Sequence, residues 1–249
     1  MSGFPQTRVH VKNGRDREMR KKILLTLTVL ALASVTVLAA NREGVVVSKD
    51  GRTTIATKRT PSVTRTEPND PSLVTIYDNI ATAYPKGSYW CCEGYTIMGP
   101  ANLLGFPEYW QAGAFTPSAN HTVTKVEVAV GFVEGTNGLV LGLYNDAGGV
   151  PGKAIKTWAL SGLPTFGSCC TVEARTDSVG IPVTAGTQYW IVLKTSAKET
   201  TTWAVFNVND TDQVDPQVTA VYCSGLCSPN NKWVASHTTP GPAFAVLGK

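Results

Sequence analysis

The chain reads as an all-β protein, an antiparallel β-sandwich of jelly-roll type preceded by an N-terminal signal or anchor helix and a disordered linker. Three observations predict this. Apolar residues recur with a period of two in several short runs, Gly- and Pro-rich turn signals separate those runs, and no helical stripe occurs beyond one apolar stretch near the N-terminus.

That stretch is the first element. Arg15, Arg17, Arg20, Lys21 and Lys22 close a basic region over residues 1–22 and lead into the uncharged run of residues 23–40, the order of an n-region and an h-region. The run ends in small residues, with Val37 and Ala39 placed for cleavage after Ala39. A cleaved signal peptide is the favoured reading. An uncleaved anchor is the alternative, because about 18 apolar residues just span a bilayer and the preceding basic residues obey the positive-inside rule. Met19 stands directly before Arg20, so a chain starting there carries a compact signal, and residues 1–18 are then an extended start or a cytoplasmic tail.

Residues 41–72 have the composition of a flexible linker: scattered charges, many Thr, and the breakers Pro61, Pro68 and Pro71. Strand propensity at Val45, Val46 and Val47 is short and expected to be transient. Residues 73–249 turn to Val, Ile, Tyr, Trp and Gly and are long enough for one sizeable core. The chain holds 22 basic and 18 acidic residues, but residues 41–249 hold 15 and 16. Its basic character belongs to the targeting segment, and no footprint for nucleic acid remains.

Within residues 73–249, Val126, Val128, Val130 and Phe132 alternate with Glu127, Ala129 and Gly131, as a strand with one buried face requires. Leu139, Leu141 and Leu143 repeat the pattern, as do Tyr189, Ile191 and Leu193. Turn chemistry lies between them at Gly135-Thr136-Asn137-Gly138, Asn145-Asp146-Ala147-Gly148-Gly149, Pro151-Gly152, Pro182 and Ala185-Gly186-Thr187. A closed barrel is the alternative architecture, since strand number alone does not fix closure. Gly94, Gly99, Pro100, Gly105 and Pro107 predict a long ordered loop between Tyr89 and Trp110, the kind that carries binding function on a rigid scaffold.

The six cysteines form three close pairs, Cys91 with Cys92, Cys169 with Cys170, and Cys223 with Cys227. An even count behind an export signal predicts disulfides, with 15 connectivities open. The preferred arrangement closes Cys223 to Cys227 and joins one or both of Cys91 and Cys92 to Cys169 or Cys170. Neighbouring strand residues face opposite sides, so a double bridge needs one doublet outside regular strand geometry. A vicinal bridge within a doublet and a cysteine zinc site are the weaker alternatives, the doublets lacking zinc-ligand spacing.

Two ligand sites are candidates. Asp210, Asp212 and Asp215 with Asn209 offer hard oxygens to calcium, against the simpler reading of a polar turn whose side chains bond their own backbone. Tyr89-Trp90, Tyr109-Trp110 and Tyr189-Trp190 are adjacent pairs, so one ring of each is expected in the core and its neighbour outside. Trp90, Trp110 and Tyr109 are the ligand-binding candidates, with core or inter-strand packing the commoner fate of such rings. Catalytic signals are sparse: outside the targeting region only His121 and His237 are present, neither in a nucleophile or metal motif, and a carboxylate dyad leaves no fixed spacing. The sequons at Asn120 and Asn209 matter only in a eukaryotic source.

Four segments together carry a family resemblance. Ala114-Phe115-Thr116-Pro117 comes first, then the strand from Leu139 to Tyr144 with Asn145-Asp146-Ala147-Gly148-Gly149-Val150-Pro151-Gly152. Leu163-Pro164-Thr165-Phe166-Gly167-Ser168-Cys169-Cys170 and Thr184-Ala185-Gly186-Thr187-Gln188-Tyr189-Trp190 follow. In this order, over roughly residues 111–247, the chain resembles the secreted bacterial domains called choice-of-anchor R. The resemblance implies export and surface location more than a reaction. Residues 244–249 show no apolar tail or basic sorting signal, so the expected tether is the N-terminal segment. The reading that follows is a noncatalytic secreted or surface module, binding or structural, with a glycan or envelope component as partner. A carbohydrate-binding module, or less so a glycoside-active hydrolase, is the alternative.

Overall fold

The computed structural model describes residues 45–47, 52–55, 72–80, 89–168, 171–209, 219–223, 232–236 and 241–249. All belong to the unit Gly44–Lys249, and the signal or anchor segment at residues 23–40 lies outside them. Among the described residues there is no helix, and hence none long and apolar enough to cross a membrane.

Fifteen strands are formed: β1 Val45–Val47, β2 Arg52–Ile55, β3 Val74–Asp78, β4 Tyr89–Met98, β5 Tyr109–Phe115, β6 His121–Glu134, β7 Gly138–Asp146, β8 Pro151–Ser161, β9 Thr171–Arg175, β10 Ile181–Val183, β11 Tyr189–Lys194, β12 Trp203–Asn209, β13 Thr219–Cys223, β14 Trp233–Ser236 and β15 Phe244–Gly248. They make one hydrogen-bonded network whose main path runs β3-β15-β6-β12-β4-β5-β11-β7-β8. Every strand ladder in it is antiparallel.

β6 is the longest strand and the most connected. Its first part pairs with β15 on one side and with β9 and β10 on the other, and its last part pairs with β12. Val126, Val128 and Val130 enter the main core, as their alternation predicts, together with Leu139, Leu141 and Leu143 of β7 and Ile191 and Leu193 of β11. Val123 enters the same core although it is out of phase with Val126. The register shift against β15, where Leu247 pairs with Lys125 and Gly248 with Val123, skips Thr124 and restores the phase. One extra residue thus lets both valines point inward.

The other face of β6 is buried too. Ala129 packs with Ile80, Tyr89, Cys91, Cys92, Ala243, Ala245 and Leu247 in a second cluster. Beside it, Lys125 and Glu127 form an ion pair with side chains only 4% and 8% exposed. Lys125 Nζ also reaches Glu173 Oε2 of β9 at 3.4 Å, and Arg175 Nε donates to Glu173 Oε1 at 2.9 Å. Burial pushes the Glu173 carboxyl up, but bonds from Arg175 and Lys125 and their charges outweigh it and leave it below its ordinary value.

Two expectations are corrected. Residues 41–72 do not read throughout as a flexible linker, because β1 pairs with β2 and β2 adds to β4. Thr53 of β2 is fully buried, its hydroxyl 2.7 Å from that of Thr96. The Thr-rich run supplies strand propensity, and the backbone of β4 supplies the partner that turns a transient strand into a fixed one. Nor is the stretch from Tyr89 to Trp110 one loop, since β4 occupies its first ten residues. Gly94 is not a turn signal there: a Cβ at Gly94 would lie 2.3 Å from the Phe206 carbonyl, so the glycine permits β4 and β12 to approach.

Two predictions follow from packing. Gly135 has φ +86° and a Cβ there would sit 2.0 Å from the Thr201 carbonyl, whereas Gly186 has φ +69° and open space around it. Gly135→Ala is expected to destabilise by about 2 kcal/mol or more and Gly186→Ala by about 1 kcal/mol, read from denaturant midpoints. Lys125→Met removes the buried ion-pair partner of Glu127 and is expected to cost about 3–5 kcal/mol, while the double variant Lys125→Met/Glu127→Leu recovers most of that loss.

Candidate functional site

The aromatic candidates meet other aromatics at one end of the network, where β5 begins, β11 and β13 end and β14 begins. Register places Trp110 opposite Tyr222 and Tyr222 opposite Trp233, so the three rings stand in a row across β5, β13 and β14. Trp110 and Tyr222 stack with centroids 4.1 Å apart, and Trp233 meets Tyr222 edge-on at 5.9 Å. From β11, the Lys194 ammonium lies 4.9 Å from the Trp110 ring centre, a cation–π contact. Glu108 fixes the indole from below: its Oε1 accepts from Trp110 Nε1 at 3.0 Å and from Thr195 Oγ1 at 3.1 Å. All three rings are half-buried. Trp110 is thus flanked by Tyr222 and Lys194.

Tyr109 is half-buried beside this row, and burial pushes its phenol above the ordinary value. Trp90 lies elsewhere, near the start of β4, with its carbonyl accepting from Asn207 Nδ2 at 2.6 Å. The three candidate rings therefore do not form one site: Trp110 belongs to the row, Tyr109 precedes it in β5 and so falls on the other face of that strand, and Trp90 lies in β4. The third pair departs from the expected in-and-out arrangement, because both Tyr189 and Trp190 are buried. Trp190 faces away from the main core into a separate apolar layer with Ala112, Ala114, Tyr144 and Val192. The Tyr144 ring lies across Gly142, where a Cβ would come within 2.3 Å of it, and small residues at 112 and 114 leave room for the indole.

The Trp190 indole is held by Asp146, whose Oδ1 accepts from Trp190 Nε1 and from Gln188 Nε2, each at 2.8 Å. The same carboxylate takes the amides of Gly148 and Gly149, each 3.0 Å from Oδ2. Burial raises its pKa, but these four donors prevail and hold the group below the ordinary carboxylate value. Asp146 is a strut between the β7–β8 turn and β11, not an available acid.

Between residues 89 and 94 the pairing of β4 with β12 shifts, Asn209 facing Tyr89 and Asn207 facing Gly94. Cys91 and Cys92 lie in this irregular stretch and both are buried, at 1% and 7%. A doublet outside regular strand geometry is thus present. Cys169, Cys170 and Cys227 fall outside the described residues, as do the calcium candidates Asp210, Asp212 and Asp215 and His237. His121 opens β6, half-buried and opposite Val183. Among the described residues no three His, Cys, Asp or Glu side chains converge as a metal-binding group.

Sequence reasoning missed Tyr222, Trp233 and Lys194. Their partner Trp110 lies more than 80 residues from each, and only the pairing of β5 with β11 and β13 brings them together. Comparison with protein-family models and with curated proteins finds no match to the chain.

The Asp146 strut gives a pH test. Its folded-state pKa is lowered, so the stability it contributes is complete above the unfolded value of 3.8 and is lost as pH falls through the folded value. Melting temperature followed downward from pH 6 is expected to fall more steeply in the parent than in Asp146→Asn, which starts lower and lacks this part of the acid dependence.

Proposed function

We propose that the chain is a noncatalytic module of the cell surface or extracellular space, a jelly-roll-like β-sandwich of choice-of-anchor R type with its working surface at the aromatic end. The observation that carries the reading is the row of Trp110, Tyr222 and Trp233 with Lys194: large rings left half-open at one edge, where a solely structural cluster would be covered. The sandwich is supported by the main core, into which β6, β7, β11 and β15 all send alternate residues.

Export is supported by the basic and apolar order of residues 15–40 and by the cysteines. The proposed bridge joins Cys91 to Cys169 or Cys170. Thr171, next to that doublet, pairs with Ala129, and Ala129 packs in the same cluster as Cys91. Such a bridge closes a loop of nearly 80 residues and contributes about 3–5 kcal/mol in the chain-entropy model. A calcium role for Asp210, Asp212 and Asp215 stays part of the proposal, with extracellular calcium as the metal.

Fractionation of the producing cell tests the location, with N-terminal sequencing and mass mapping of unreduced peptides. The expected product lies outside the cytosol with a peptide linking Cys91 to Cys169 or Cys170. A full-length cytosolic chain with all six thiols reduced overturns the proposal.

A further inference from the structure

Next to the aromatic row, the loop of residues 99–108 between β4 and β5 presents Leu103, Leu104 and Phe106 to solvent, 59%, 38% and 38% exposed. No residue from 99 to 107 is charged. The loop is built, not loose. Asn102 is only 8% exposed; its Nδ2 donates to the carbonyls of Gly99 at 2.8 Å and Phe106 at 2.7 Å, and its Oδ1 accepts from the Phe106 amide at 3.1 Å. The Gly105 amide bonds the Asn102 carbonyl, and the amides of Gly99 and Ala101 bond the carbonyls of Thr202 and Thr200. Gly105, at φ +68° with nothing around it, makes the turn at the tip.

We propose that this end of the molecule docks on a lipid bilayer, with Leu103, Leu104 and Phe106 entering the acyl boundary and Trp110, Tyr222, Trp233 and Lys194 lying at headgroup depth. Three arguments favour lipid over a protein pocket. The Asn102 side chain and the Gly105 amide satisfy several of the loop's backbone groups within it, which lowers the cost of leaving water. An apolar tip followed by Trp, Tyr and Lys is the order of side chains met on crossing a membrane interface. The three side chains offer on the order of 250 Å², well short of the ~800 Å² per partner of a stable protein interface but sufficient for shallow insertion. The inference rests on the extracytoplasmic reading above and gives its working surface a partner.

The test uses the full chain with vesicles of phosphatidylcholine and phosphatidylglycerol that carry a photoactivatable diazirine in the acyl chain, and adducts are mapped by mass spectrometry. Mapping separates the loop from the apolar segment at residues 23–40, which labels independently. Adducts are expected within residues 99–110, and Leu103→Asp/Phe106→Asp is expected to lower their yield at least about tenfold at an unchanged melting temperature. The milder Leu103→Ser/Phe106→Ser is expected to lower it in the same direction, so the result does not hang on one variant. Adducts confined to residues 23–40, or equal loop labelling in the variants, overturn the proposal. An exported chain with oxidised Cys91 and no loop adducts overturns the lipid partner and leaves the location standing.

Discussion

The structure depends on β6 being buried on both faces. A strand of 14 residues with Val126, Val128 and Val130 on one side and Lys125, Glu127 and Ala129 on the other gives one core for each face. Everything else is arranged around that constraint. β15, β9, β10 and β12 attach to its edges, and their own alternate residues extend the two clusters. The ion pair of Lys125 and Glu127 follows as a consequence: two charges placed where cover is needed must neutralise each other, and Glu173 and Arg175 of β9 extend the pairing toward solvent.

Buried polar side chains elsewhere act as ties between distant parts of the chain. Asn79 donates to the Pro242 carbonyl and accepts from the Phe244 amide, fixing the end of β3 to the start of β15. Gln111 donates to the Thr96 carbonyl and so ties β5 to β4 where only one residue pair of the two strands is in register. Asp146 does the same for the β7–β8 turn and β11. These groups resemble chemistry in a sequence, being amides and carboxylates near turns. In the fold each is held by these bonds, which adds stiffness to the scaffold that holds the aromatic end.

The aromatic end shows how local and distant determinants combine. Asn102 shapes its own loop through bonds no more than four residues away, so that part is a local property of the sequence. The ring row is not local: Trp110, Tyr222, Trp233 and Lys194 come from four strands. Because Glu108 sits two residues before Trp110 and bonds its indole, the loop and the row share one rigid root.

What the sequence by itself determined was the face on which Val126, Val128 and Val130 of β6, Leu139, Leu141 and Leu143 of β7 and Ile191 and Leu193 of β11 would lie, because alternation along a strand is fixed by the pleat and needs no partner. Val123 departs from that alternation because the pairing with β15 skips Thr124. Only the tertiary structure decided how deeply each face is covered. Trp190, expected outside, is buried because Tyr144 folds across Gly142 beside it, and Gly94, which looks like a turn, lies inside a strand because β12 passes close. Likewise Thr53 is drawn from a linker-like segment into a strand by the backbone of β4. Cover and pairing depend on residues tens to more than a hundred positions away, and no periodicity within a short window contains that information.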